Sequence, residues 1–221
     1  MRADLKRHRE KVAYSDNLAK PPSDPHRRVR VADVLREINQ FLAQHKKFMV
    51  VAESGDSLFG GIDVKVGNHG LYLAQGFYAS MGFAVPGALG AQIGTGFRPL
   101  VLTGDGGFQM TGVEIAHAPR YRLNPIVVLL NNGGWGIFRP ISKRHDLLAL
   151  PSWRYAELAR LWGGRGFRVE TAAQLRRALD QAARSSAFAI IEVMIGPRDL
   201  SPITLKYIRA SAKKAQIKNP G

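Results

Sequence analysis

The hydrophobic pattern of the chain starts late. Residues 1–30 are polar and charged and are interrupted by "KPPSDPHRR", the composition of a linker and not of a core. Beyond them "VADVLREINQFLAQH" repeats apolar residues at helical spacing, placing Val31, Val34, Leu35, Ile38, Phe41 and Leu42 on one face, and "FMVVAE" follows as a short apolar run. A helix is therefore expected to lead into a buried strand. Residues 78–94, "YASMGFAVPGALGAQIG", are rich in small side chains and apolar almost throughout, which suits a closely packed helix with a kink or irregular start at Pro86. The run "RPLVLTG" predicts a strand, a Gly-Asp-Gly turn and a helix over about 109–120 follow, and "PIVVLLNN" predicts the next strand. "SWRYAELARLWG", "FRVE", "TAAQLRRALDQAARS" and "FAIIEVMI" continue the alternation of helix and strand, with Thr171 as an N-cap.

Alternation of this kind predicts an α/β fold, a three-layer sandwich whose central, mainly parallel sheet is covered by helices on both faces. The last stretch, "LSPITLKYIRASAKKAQIKNPG", reads as a basic helix that frays. The expected organisation is a basic linker or tail over 1–30, one folded domain over 31–200 and a basic tail over 201–221. With 221 residues and 45% hydrophobic content, the chain can bury a substantial core.

Composition removes several chemistries. There is no cysteine, which excludes disulfides, thiolate zinc sites and thiol nucleophiles, and the six histidines have no ligand-like spacing. No apolar run reaches the length of a membrane span, and the charged "MRADLKRHREK" is not followed by the apolar region of a signal peptide, so a cytoplasmic setting is expected. The net charge of +15 raises the question of nucleic acid. The basic residues crowd into 2–30 and 206–218, however, without interleaved aromatics for base stacking. Solvated tails, or a surface for an anionic partner, are the reading preferred to nucleic-acid recognition. The rival, a nucleic-acid-binding protein on the same scaffold, predicts salt-sensitive binding without a magnesium requirement.

The candidate chemistry lies in "LTGDGGFQMTGVEIAHAPRYRLNPIVVLLNNGGWGI". Ligands of open parallel sheets bind beyond the carboxyl ends of the strands, and both "GDGG" and "NNGG" fall at such ends. Asp105 and Asn132 are hard oxygen donors separated by one helix and one returning strand, so they can share a metal. Gly106 and Gly107 allow close backbone approach at a helix N-terminus that favours phosphate. Magnesium commonly takes one or two protein carboxylates and completes its shell with phosphate oxygens, so a magnesium diphosphate is inferred. Alone, "GDGG" also fits a purely structural turn. It is neither a P-loop, because no Lys-Ser or Lys-Thr pair follows, nor the dinucleotide fingerprint, whose third glycine is misplaced here.

Gly104-Asp105-Gly106, followed at this distance by Asn131-Asn132, resembles the thiamine diphosphate motif. Over residues 51–195 the phrases "ESGDSLFG", "YASMGFAVPGALGAQ" and "SWRYAELARLWGGRGFRVETAAQLRRALDQA" are similar to the diphosphate-binding domain of 2-oxo acid decarboxylases, nearest the phenylpyruvate and indolepyruvate type. The resemblance implies thiamine diphosphate and Mg2+ as cofactors, with Asp105, the Asn132 side chain and the Gly134 carbonyl on the metal. It places the backbone amides of Gly106 and Gly107 against the diphosphate and makes Gly104 a further cofactor-binding residue. It also makes Met81 the residue that props the cofactor into its bent form and the Ala79 carbonyl an acceptor for the aminopyrimidine. Without that context Met81 reads equally as a core methionine.

The resemblance also shows what this chain does not carry. The glutamate that activates the aminopyrimidine belongs to a pyrimidine-binding domain for which no counterpart is found here, and Glu53 and Glu114 cannot be assigned its role. Six residues after Asn132, where many pyruvate decarboxylases have a catalytic glutamate, stands Phe138, which fits an arylpyruvate enzyme or a domain that no longer catalyses. Three accounts stay open: the diphosphate subunit of a two-chain enzyme, a fragment of a longer decarboxylase, or a solitary non-catalytic domain. Each implies an apolar docking face for a homo- or hetero-oligomer. The first two imply a partner pyrimidine domain or subunit and a 2-oxo acid substrate, and the isolated chain is expected to be inactive.

Overall fold

The computed structural model describes residues 26–67 and 70–218, together with Leu18 and Asp24. The linker expected over 1–30 lies largely outside them. Helix α1 (Val31–Gln44) buries all six residues of the expected face. Its polar face is less simple than the pattern suggested, because Asp33 and Glu37 are buried as well. Asp33 accepts from the Arg30 amide and pairs with Arg27 and Arg36, while Glu37 takes a two-pronged bond from Arg176 at 2.8 Å per contact. Arg176 belongs to α6 (Ala172–Ala183), so this planar guanidinium-carboxylate pair ties the two helices together.

Six strands form one sheet in the order β2-β1-β3-β4-β6-β5, with every neighbouring pair parallel. They are β1 (Phe48–Ala52), β2 (Tyr72–Ala74), β3 (Arg98–Gly104), β4 (Ile126–Asn131), β5 (Arg165–Val169) and β6 (Ala189–Met194). Two cores flank the sheet. In the first, α1 and α6 cover Val50, Leu100, Leu102, Val128 and Ile191. In the second, α3 (Ala84–Thr95), α4 (Asp105–Thr111) and α5 (Tyr155–Leu161) cover the alternate residues Val51, Val101, Val127, Leu129 and Ile190. Both faces are buried, which is why β4 reads "IVVLLN" as a continuous apolar run and does not alternate. Each fully buried Val, Leu or Ile adds roughly 1.5–3 kcal/mol of transfer free energy.

Local signals account for most boundaries. Thr171 caps α6 as expected: its hydroxyl accepts from the Gln174 amide, and the Gln174 side chain accepts from the Thr171 amide. Pro86 sits in the first turn of α3, where a missing N–H costs nothing, so a kink is not needed, and residues 78–83 of the stretch expected to be helical lie ahead of α3 in turns and loop. The stretch over 200–221 expected as a basic, fraying helix is helical as α7 over Pro202–Lys218, and its residues 219–221 fall outside the described residues.

One expectation is corrected. The helix placed over about 109–120 begins at Asp105, so Gly-Asp-Gly is a helix start and not a turn, and α4 passes after Thr111 into a tighter 3-10 stretch, Gly112–His117. Gly112 lies so close to the Phe108 ring that a Cβ there would overlap it. Two short elements had no readable pattern: the three-residue edge strand β2 and helix α2 (Asp56–Gly60).

Candidate functional site

After β1 the chain leaves toward the first core, where Val64 is buried, and after β3 it leaves toward the second, where Phe108 and Ile115 are buried. The carboxyl ends of these adjacent strands therefore open a crevice, the place where a doubly wound sheet receives its ligand. A cavity of about 340 Å³ lies there. It is lined by Ala79, Met81, Gly104, Asp105, Gly106, Gly107, Asn132 and Gly134, so all eight residues singled out from the sequence face one space.

Asp105 is the first residue of α4 and is 2% exposed. Its Oδ1 accepts from the Gly106 amide and its Oδ2 from the Gly134 amide, both at 2.9 Å. Burial raises its pKa to about 6, against the lowering effect of those backbone bonds. The Gly134 amide also donates to Asn132 Oδ1, at 3.1 Å. One N–H thus gathers the Asp105 carboxylate and the Asn132 amide oxygen to a single point from the ends of two strands.

The two asparagines divide their work. Asn131 turns inward, donating to Glu192 Oε1 at 2.8 Å and accepting from the Gly133 amide, and this fixes the turn after β4. Asn132 is left facing the cavity. The loop beyond is pinned by a bridge between Gly134 and Ala149 and by the Trp135 amide donating to the Leu148 carbonyl. A Cβ on Gly134 would overlap that carbonyl.

The glycines of the helix start have a second reason to be glycine. A Cβ on Gly106 would lie 2.5 Å from the Trp135 ring, and one on Gly107 would lie 2.5 Å from Glu53 Cγ. The first turn of α4 is pressed between these two side chains, and the Gly107 amide has no acceptor within the helix. The glycine backbone, with the Gly107 N–H, therefore forms part of this wall beside those side chains.

Glu53, which the sequence reading left without a role, turns out to organise the site. It is 2% exposed, at the end of β1. Oε1 accepts from the Ser54 and Gly82 amides and Oε2 from the Ala84 amide. The carboxylate thereby clamps the loop that carries Ala79 and Met81 to the start of α3. An acid standing directly after the apolar run "FMVVA" was the available signal. Met81 is 48% exposed and is no core methionine, and Ala79 holds a positive φ of 52°, uncommon for a residue with a Cβ. Glu114 is exposed and does not line the cavity, whereas Phe138 does.

Chemically, the donors suit a hard divalent cation that arrives with further oxygens. Among the described residues no cluster of three or more His, Cys, Asp or Glu side chains could hold a metal on its own. One carboxylate, one amide oxygen and a backbone carbonyl leave room in an octahedral shell for phosphate oxygens. The backbone amides at the start of α4, beside the cavity, fit that group.

Comparison with known proteins bears on the same region. The family model for the thiamine pyrophosphate enzyme C-terminal TPP binding domain matches residues 60–193, more than half of the chain. An indole-3-pyruvate decarboxylase of Azospirillum brasilense is 38% identical over 184 residues, which cover 82% of this chain and 33% of that protein. An alpha-keto-acid decarboxylase of Mycobacterium tuberculosis is 31% identical over 156 residues, covering 66% and 27%. One of Mycolicibacterium paratuberculosis is 28% identical over 173 residues, covering 74% and 30%. The chain spans about a third of the length of the curated relatives it matches.

Proposed function

The chain belongs to the thiamine pyrophosphate enzymes, as their C-terminal TPP binding domain, and on that premise we propose that it binds thiamine diphosphate through Mg2+ and forms the diphosphate half of a 2-oxo acid decarboxylase active site. The observation that carries this reading is the Gly134 amide shared by Asp105 Oδ2 and Asn132 Oδ1. Asp105, Asn132 and the Gly134 carbonyl would hold the cation, and the amides of Gly106 and Gly107 would face the diphosphate. The Ala79 carbonyl and the Met81 side chain, on the loop clamped by Glu53, would orient the organic rings. When bound, the cofactor supplies an electron sink for the carbanion left by loss of carbon dioxide.

This chain's own residues bind and orient; none of those around the cavity is assigned the activating proton transfer. That step calls for a glutamate from a pyrimidine domain, in a separate chain or a further part of the same protein. Phe77, Tyr78, Met81, Met110 and Val113 are 43–91% exposed, and this apolar group on the Ala79 loop and around α4 is suited to dock such a domain within an oligomer. Phe138 beside the cavity favours an aromatic 2-oxo acid, in keeping with the indole-3-pyruvate decarboxylase relative. A cytoplasmic setting is part of this reading, and the cysteine-free composition is compatible with a reducing cytosol; no helix among the described residues is long and apolar enough to cross a membrane.

The test is carbon dioxide release from indolepyruvate with magnesium and thiamine diphosphate. The chain alone should be inactive and should gain activity when the pyrimidine domain of a relative is supplied. Turnover by the chain alone would overturn the division of labour.

A further inference from the structure

Three arginines from separate parts of the chain line a second cavity, of about 610 Å³, at the carboxyl end of β6. Arg30 precedes α1, Arg139 follows the 3-10 turn Gly136–Phe138, and Arg198 lies in the loop after β6, with His145 also on the wall. Asp199 is the one acid in the lining, and its carboxylate is already engaged. Oδ2 accepts from the Val31 amide at 2.8 Å, and Oδ1 lies 4.0 Å from Arg30 Nε.

The guanidinium donors are poorly matched. Arg139 Nε is buried with no acceptor among the described residues, and Arg139 Nη2 has one long bond, 3.3 Å, to the Gly133 carbonyl. Arg198 has neither a hydrogen bond nor an ion pair among the described residues. Three like charges around one concavity repel one another, and a buried N–H without an acceptor is destabilising, unless an anion answers both. Guanidinium forks match the paired oxygens of phosphate and carboxylate groups. No residue of this lining faces the cavity at β1 and β3.

We propose that the arginine cavity binds a small oxyanion carrying at least two negative charges, of the phosphate or dicarboxylate kind. The site does not depend on thiamine diphosphate or magnesium. Calorimetric titration of the full chain with inorganic phosphate and, separately, with succinate, both in EDTA and at constant ionic strength, tests it. Saturable binding of either probe, weakened about tenfold or more in Arg139→Gln and in Arg198→Gln, is the expected result, since each change removes charge-assisted bonds. Which probe binds distinguishes phosphate from carboxylate as the recognised group. Arg198 is exposed and unpaired among the described residues, so its variant keeps the fold, and thermal melts check both. No saturable binding of either probe, or binding unchanged in both variants, would overturn the proposal.

Discussion

Glu53 and Asp105 are both carboxylates buried at the ends of adjacent strands, yet they are built for different tasks. Glu53 is held on both oxygens: three backbone amides, from Ser54, Gly82 and Ala84, donate to it and convert its charge into a clamp. Asp105 has two amides, one of them shared with Asn132, and burial still raises its pKa to about 6. Burial therefore does not mark a ligand-binding acid. What distinguishes Asp105 is the mismatch between its charge and the donors around it, a mismatch that a cation would remove.

The contrast can be broken most forcefully at Glu53. Glu53→Gln turns an amide NH2 toward backbone N–H donors, and the unfolding free energy should fall by roughly 3 kcal/mol in denaturant melts, with the Ala79 loop loosened. If the variant were as stable as the parent, the clamp would be illusory.

Next comes pH. Because the folded pKa of Asp105 lies above its ordinary 3.8, the folded state holds this proton more tightly than the unfolded chain. The contribution is complete below about pH 4 and is lost as pH rises through about 6, a change on the order of 3 kcal/mol. Asp105→Asn should flatten this part of the pH profile of thermal stability in the metal-free protein. A profile identical in parent and variant would assign the slope to other groups.

The smallest effect on stability is expected at Met81. Half exposed on the clamped loop, it should change stability by no more than about 0.5 kcal/mol when replaced by alanine, yet weaken cofactor binding. A large loss of stability would return it to the core role that the bare sequence allowed.

Much of this fold was legible because its signals are local. The continuous runs of β3 and β4 announce strands buried on both faces, and Thr171 with Gln174 announces a helix start. The eight cavity residues were legible through the spacing of "GDGG" and "NNGG" and the family likeness they carry. What stayed hidden depends on tertiary contacts. Glu53 gains its role only when Gly82 and Ala84, about 30 residues later, fold back over β1. Gly106 and Gly107 read as glycines for a ligand, but they are also required by Trp135 and Glu53. The helix that was placed too late had its start masked by the same glycines, which weaken helical propensity without preventing a first turn. The arginine cavity gathers residues 30, 139 and 198, and no local pattern foretells that meeting.

The most direct test of the account is calorimetric titration of the chain with thiamine diphosphate near neutral pH, in magnesium and in EDTA, for the parent and for Asp105→Asn. The account predicts saturable binding by the parent in magnesium alone and none by the variant, which remains folded. Equal binding in EDTA, or by the variant, would contradict the assignment of Asp105 and of the metal-bridged diphosphate site.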